Sequence, residues 1–183
     1  MTQKPDVVEL LKGQHERIRR LFDEVVATRG EERQACFHEL VRLLAVHETA
    51  EEEVVHPFAR KNIAGGEQVV EDRIEEEEGA KRALSALQDM DVDSPEFLDR
   101  FAALRQDVLA HAEAEERYEF AHLRAVTDRD TLGNLARAVQ AAEAVAPTRP
   151  HPGTDSALKN LAVGPIAAVV DRTRDAMRKA MHH

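Results

Sequence analysis

The sequence predicts an all-α fold: an antiparallel up-down four-helix bundle with additional helices at its C-terminal end. Apolar residues recur at three- and four-residue steps over long stretches, as they do along the buried face of a helix. Charged residues make up 33% of the chain and aromatic residues only 4%, which is typical of long helices with salt-bridged outer faces. At 183 residues, the chain is long enough to bury a core without disulfides or a structural metal.

The first two predicted helices cover the N-terminal third of the chain. Apolar residues recur from Val8 to Val25, and the first pattern ends near Gly30. A second pattern covers residues 31–61 and stops before two consecutive glycines at 65–66, which punctuate a helix strongly.

The third and fourth predicted helices are separated by an acidic, proline-containing turn. The third pattern extends from Val70 to Leu87. Ser94 followed by Pro95 is a helix-start signature, and the fourth pattern continues from there to about Val126. Four helices with short connections predict antiparallel neighbours.

The C-terminal part predicts a helical extension rather than a second core. Residues 131–145 read as a fifth helix, three prolines within residues 146–153 break it, and residues 165–181 regain helical periodicity. We therefore divide the chain into a bundle, residues 1–128, and an extension packed on it, residues 129–183. The extension is expected to cap the bundle, limit solvent access or form a subunit contact, and the assembly to be a monomer or a small homo-oligomer.

The composition excludes several classes of partner. The formal charge is -10, and residues 146–183 hold six Lys/Arg against three Asp/Glu, so residues 1–145 carry -13, which argues against nucleic-acid binding by the bundle. No apolar stretch is long enough to cross a membrane and the N-terminus does not resemble a signal peptide. Cys36 is the single cysteine. We expect a cytoplasmic protein without a membrane or nucleic-acid partner.

Metal-capable side chains interrupt the apolar stripe of each bundle helix. Two helices carry the pattern H-x-x-x-E, whose two side chains lie about 40° apart around the helix axis and so face the same way. The six inward-facing candidates are His15 on the first helix, His47 and Glu51 on the second, Glu77 on the third, and His111 and Glu115 on the fourth.

Burying these six groups without partners would cost several kcal/mol per ion. Metal coordination offsets that cost, and carboxylates from two helices can bridge two ions roughly 3.5 to 4 Å apart. Imidazole and carboxylate ligands without a thiolate suit iron, manganese or zinc. The sequence therefore predicts a two-metal site with all six residues as ligands.

Tyr118 is seven residues after His111 and is expected on the same inward face. It is interpreted as a phenolate ligand, a hydrogen-bond donor, a redox-active neighbour or a core tyrosine. His122 is placed one turn deeper, and His56, nine residues after His47, is expected to point elsewhere; neither is predicted to bind metal. The remaining histidines have no predicted inward partner: His38, His151, His182 and His183.

His15, together with HETAEE at residues 47–52 and HAEAEE at residues 111–116, resembles the hemerythrin-like (HHE cation-binding) family over residues 8–126. The resemblance implies an oxo- or hydroxo-bridged pair of iron ions held by three histidines, with Glu51 and Glu115 bridging the ions. Manganese shares the same donor preferences and is not excluded. The C-terminal extension resembles that of actinobacterial members.

One position departs from the family pattern. The family usually has a histidine on the third helix in the setting E-H-x-x-x-K, where this chain has Glu77 or, with the alignment moved by one residue, Glu78. An additional anionic ligand favours the ferric state and disfavours reversible oxygen carriage.

The expected function is therefore a catalase- or peroxidase-like reaction with hydrogen peroxide or dioxygen, in which Glu51, Glu115 and Tyr118 take part. The alternative is reversible binding of oxygen or nitric oxide, or iron or redox sensing, without turnover. Iron storage is a weaker reading.

Overall fold

A computed structural model describes residues 6–146, which are helical apart from short connections and contain no β-strand. The elements are α1 (Val7–Ala27), α2 (Gly30–Ala50), the π-helical turn π1 (Glu51–Val55), α3 (His56–Asn62), α4 (Gly66–Gln88), α5 (Pro95–Ala114), the π-helical turn π2 (Glu115–Glu119), α6 (Phe120–Val126) and α7 (Arg129–Glu143). Among these residues, no helix combines the length and apolarity that a bilayer span requires.

Two of the four bundle helices are composite. α2, π1 and α3 follow one another without a break, as do α5, π2 and α6, so each trio forms one long helix. α1 packs on α2 and α5, and α4 packs on α5 and α3, which closes a ring of four antiparallel helices. The predicted bundle is confirmed, and the helix bounds lie within a few residues of those expected.

Local sequence signals determine where the helices begin. The side chains of Asp6 and Ser94 accept hydrogen bonds from the backbone N–H groups of Glu9 and Phe97, at 2.9 and 3.1 Å, and so cap α1 and α5. Gly65 has a φ of 70°, a left-handed conformation that glycine adopts without steric cost, and it turns the chain into α4. The helix start predicted at Ser94-Pro95 is confirmed.

A layer of polar side chains separates the two larger apolar clusters, and a third, small cluster consists of Ala59, Ile63 and Val70. One of the two larger clusters joins the start of α1 to α3, α6 and α7, with fully buried members such as Leu11, Val54 and Leu123. The other joins the remainder of α1 to α2, α4 and α5 and contains four phenylalanines: Phe22, Phe37, Phe97 and Phe101. The polar layer between them consists of histidines and glutamates that are buried, except for His111, whose side chain is 12% exposed.

α7 packs against the bundle alongside α1 and α2. Its apolar residues Leu132, Leu135 and Val139 are buried in the first of the two clusters. Its start is capped by Asp128, whose carboxylate accepts from the backbone N–H of Thr131 at 2.9 Å. The proline-rich segment and the helix predicted at residues 165–181 lie outside the described residues.

Candidate metal centre

Each H-x-x-x-E pattern lies at the junction between an α-helix and a π-helical turn. The backbone N–H of His56 bonds to Glu51 O and that of Phe120 to Glu115 O, each spanning five residues instead of four. Such a turn holds one extra residue and rotates everything after it. Both π turns begin at a predicted bridging carboxylate, and π turns of this kind occur frequently at functional sites.

The polar layer contains two overlapping groups of side chains that can hold a cation. In each group, the ligand atoms lie within 4.8 Å of one another. The first group is His15, His47, Glu51 and Glu115, and the second is Glu51, Glu77, His111 and Glu115. The structure thus brings all six predicted ligand residues together, and the two carboxylates predicted as bridges are the ones that both groups share.

The hydrogen bonding of this layer fits bound cations. Both carboxylate oxygens of Glu51 and of Glu115, Glu77 Oε2 and His111 Nε2 are buried without a hydrogen-bond partner. The Nε2 atoms of His15 and His47 lie 3.1 Å apart and face each other. Buried carboxylate oxygens and a buried imidazole nitrogen without hydrogen bonds are costly unless something else binds them, and metal ions bind such atoms.

In His15, His47 and His111, the imidazole nitrogen that faces away from the site has a hydrogen-bond partner. Nδ1 contacts an acceptor oxygen in each case: Glu116 Oε1 for His15 at 3.0 Å, Gln14 Oε1 for His47 at 2.6 Å, and Glu76 Oε2 for His111 at 2.8 Å. A hydrogen bond donated by Nδ1 leaves Nε2 with its lone pair directed inward, which is the arrangement of metal-binding histidines.

The third bundle helix contributes Glu77 and not Glu78. Glu77 is 1% exposed and belongs to the second group, and its Oε1 lies 2.7 Å from His56 Nε2. Glu78 instead lies 3.5 Å from Lys81 at the edge of the site. The structure thus places Glu77, and not Glu78, in a candidate cation group.

The expectation that His56 points away from the site is wrong. Its imidazole is 2% exposed and lies between Glu77 and Glu119, with Nδ1 3.2 Å from Glu119 Oε1. The reason is the π turn: an uninterrupted α-helix would turn His56 away, but the extra residue in π1 rotates it inward. In the sequence, the spacing of five residues between Glu51 and His56 is the feature that could have indicated a π turn and hence an inward His56.

The expected inward position of Tyr118 is also wrong. Tyr118 is 56% exposed, and Glu119, fully buried, occupies the inward position instead. The cause is again a π turn, because π2 shifts the register after Glu115. His122 is exposed and its Nδ1 lies 2.5 Å from Tyr118 O, which agrees with its exclusion from the predicted ligands.

The concentration of buried charges shifts several pKa values. Burial, reinforced by the Glu115 and Glu77 carboxylates, raises the pKa of Glu51 well above its usual range. Burial also raises the pKa of Glu48, with Glu77 as the next cause. Burial and the neighbouring His15 lower the pKa of His47 to about 3, so His47 is neutral and able to act as a ligand near pH 7.

Opposite charges outweigh burial at two other positions. Burial acts to raise the pKa of Glu115, but the imidazoles of His111 and His15 lower it well below its usual range. Burial acts to lower the pKa of His111, but the nearby Glu115 carboxylate and the hydrogen bond to Glu76 raise it well above its usual range. In the second group, the pKa values of Glu115 and His111 are thus both shifted towards the charged form of the side chain.

A cavity of about 330 Å³ reaches the polar layer between α2, α4 and α5. His47, Glu77 and His111 are among the residues that line it. Apolar side chains line part of its wall, among them Ile18, Leu44 and Val108, and Gly79 leaves one side open. The volume admits small molecules to the site.

The fold and this site define a hemerythrin-like cation-binding protein. The family model of the hemerythrin HHE cation-binding domain matches residues 6–123, and the chain belongs to that family.

The chain is similar to one solved structure and to one curated protein. A hemerythrin HHE cation-binding domain-containing protein from Mycobacterium kansasii matches with a TM-score of 0.68 and 24% identity, covering 93% of this chain and 99% of its own. A protein of Nostoc sp. named DNA nickase is 28% identical over 123 residues, which is 67% of this chain. The chain spans only 34% of the length of that curated relative.

Proposed function

We propose that this protein is a non-haem di-iron protein that reacts with hydrogen peroxide or dioxygen, with catalase- or peroxidase-like turnover. The observation that carries the proposal is the overlap of the two candidate cation groups in Glu51 and Glu115. Two carboxylates shared by two groups are what bridging a pair of ions requires.

The residues have distinct roles in this proposal. His15 and His47 would hold one ion, Glu77 and His111 the other, and the two shared carboxylates both. Two iron ions held in this way supply a two-electron redox couple, which matches the reaction in which two peroxide molecules give two waters and one dioxygen. Manganese has the same donor preferences.

The chain's own residues favour peroxide chemistry over oxygen carriage. Glu77 adds a third carboxylate where the family pattern has a neutral imidazole, so the site is more anionic and stabilises higher oxidation states. His56 orients Glu77 through a 2.7 Å contact with its Oε1. The cavity is large enough to admit hydrogen peroxide, dioxygen and nitric oxide.

The second candidate is reversible oxygen or nitric oxide binding, or iron or redox sensing, without turnover. One observation favours it: His47 is connected to α7 through the side chains of Gln14 and Glu143. A change in the position of His47 could therefore be transmitted to α7, which lies outside the four-helix bundle. The net charge of -10 would repel the phosphates of a nucleic acid, so we propose no nucleic-acid partner for this chain, although the Nostoc relative is named DNA nickase.

The test is to purify the protein without chelators, measure metal per chain, and monitor oxygen release after adding hydrogen peroxide. We expect two irons per chain and steady oxygen evolution that Glu51→Ala abolishes. Glu113→Ala, which changes an exposed residue of α5, is the matched control and keeps both. Iron without turnover, but with a reversible optical change under oxygen or nitric oxide, would establish the second candidate; a protein that binds no metal would refute both.

A further inference from the structure

His47 differs from the other two imidazoles of the candidate site in what holds its outer nitrogen. Nδ1 of His15 and of His111 contacts a carboxylate, whereas Nδ1 of His47 lies 2.6 Å from the amide oxygen of Gln14. A carboxylate only accepts hydrogen bonds, so it fixes the imidazole with its proton on Nδ1. An amide does not, because it can present either its oxygen or its NH₂ group.

The orientation of the amide decides whether His47 can bind a cation. With the Gln14 oxygen toward the ring, Nδ1 carries the proton and Nε2 has a free lone pair. With the NH₂ group toward the ring, Nδ1 must accept and Nε2 carries the proton, which prevents coordination.

Glu143 determines which orientation occurs. The Gln14 Nε2 group donates to Glu143 Oε1, and a carboxylate can bind only the NH₂ end of an amide. Glu143 comes from the last turn of α7, whose residues Leu135 and Val139 are buried in the bundle core, so its position is fixed by packing.

We propose that Glu143 is a positioning residue which, through Gln14, sets the tautomer of His47 and thereby the affinity of one of the two cation positions. The inference rests on the proposed function in one respect, that the site binds cations. It assigns to α7, a helix outside the four-helix bundle, the control of a single ligand.

The first test is histidine ¹⁵N NMR of the metal-free protein, which distinguishes the two neutral tautomers and needs no bound metal. We expect His47 to carry its proton on Nδ1 in the wild type. Glu143→Lys supplies a side chain that only donates, so it binds the amide oxygen, turns the NH₂ group toward the ring and moves the proton to Nε2. Glu143→Ala gives a mixture of tautomers.

The second test is the release of Fe²⁺ to a chelator under anaerobic conditions. We expect Glu143→Lys and Glu143→Ala to release one of two ions roughly tenfold faster or more, as is usual when the outer partner of a metal-binding histidine is lost. Gln14→Glu in the Glu143→Ala background restores an acceptor for Nδ1 and should restore slow release. Gln140→Ala, an exposed change on the same helix, is the control for a general effect on α7.

The outcomes separate this inference from the proposed function. An unchanged His47 tautomer in both Glu143 variants overturns the inference, even if the protein binds two irons. Absence of metal from the wild type refutes the proposed function, while the tautomer measurement still decides what Glu143 does.

Discussion

Glu51 and Glu115 each begin a π-helical turn, on different bundle helices, and the two carboxylates are common to both candidate cation groups. Each of the remaining four candidate residues belongs to one group only. In the proposed two-ion site, the two shared carboxylates would hold both ions and each of the other four residues would hold one.

Removing a carboxylate shared by both groups should lower the metal content more than removing a residue that belongs to one group only. We expect Glu51→Ala and Glu115→Ala to bind almost no metal, because each deletion affects both positions. His15→Ala and Glu77→Ala should each retain roughly one ion out of two. The measurement is metal per chain by mass spectrometry after gel filtration.

Tyr118→Phe is the control for this series, since Tyr118 is exposed and lies outside both groups. It should leave the metal content unchanged. If Glu51→Ala and His15→Ala lost the same amount of bound metal, Glu51 would not be a ligand shared by two ions.

Glu51→Gln should have opposite effects on stability with and without metal. In the metal-free protein, burial and the carboxylates of Glu115 and Glu77 raise the pKa of Glu51, so keeping this residue uncharged opposes folding at neutral pH; glutamine has no such ionisation cost and should raise the free energy of unfolding. In the metal-loaded protein it removes a bridging ligand and lowers stability. Urea unfolding with and without a chelator gives both values; a metal-free variant less stable than wild type would show that Glu51 is not electrostatically unfavourable.

Gly79 should control access to the site. A Cβ at Gly79 meets nothing within 4 Å, and the residue lines the cavity. Gly79→Ala should therefore stabilise α4 by about 0.5–1 kcal/mol with little effect on the reaction, because alanine is the better helix former. Gly79→Leu should keep the metal but slow the reaction with peroxide several-fold.

Gly13 provides the matched control, since its Cβ also meets nothing within 4 Å and it does not line the cavity. Gly13→Leu should leave the peroxide reaction unchanged. Stopped-flow measurement of the optical change after mixing with peroxide tests both variants, and equal rates in the two leucine variants would show that substrate does not enter past Gly79.

The cap of α7 should make stability depend on pH. The backbone hydrogen bond from Thr131 is the main cause that lowers the pKa of Asp128 from 3.8. A carboxylate with a depressed folded-state pKa contributes stability above its unfolded pKa and loses that contribution as the pH falls through its folded pKa. Asp128→Ala should lower the melting temperature by a few degrees at neutral pH, and the difference from wild type should shrink below pH 3.8.

Asp128→Asn keeps an acceptor for the N–H of Thr131 without a charge, so it should stay closer to wild type at neutral pH. Its melting temperature relative to Asp128→Ala should not vary with pH. A difference between wild type and Asp128→Ala that is independent of pH down to strong acid would show that the carboxylate charge does not matter here.

The sequence was sufficient to predict the bundle and the six clustered residues because both depend on local periodicity. His15 lies on an uninterrupted stripe of α1, and each H-x-x-x-E pair lies before its π turn, where α-helical spacing still holds. Up to Glu51 and Glu115, counting at 3.6 residues per turn gives the correct face.

Beyond those two residues the same counting fails, which explains the errors at His56 and Tyr118. A π turn is stabilised by its tertiary surroundings and leaves no mark in hydrophobic periodicity. Glu143 was out of reach for a different reason: it lies 129 positions from Gln14, and a contact between α7 and α1 depends on how the extension docks.

In the metal-free protein, the polar layer lies between the two larger apolar clusters. Each half of the bundle has its own packed interior, while the layer that joins them carries mutually repelling carboxylates. Such a molecule is expected to open as two separate cooperative units, with amide hydrogens near the layer exchanging first. Cation binding would then couple the halves, so that they exchange and unfold as one unit.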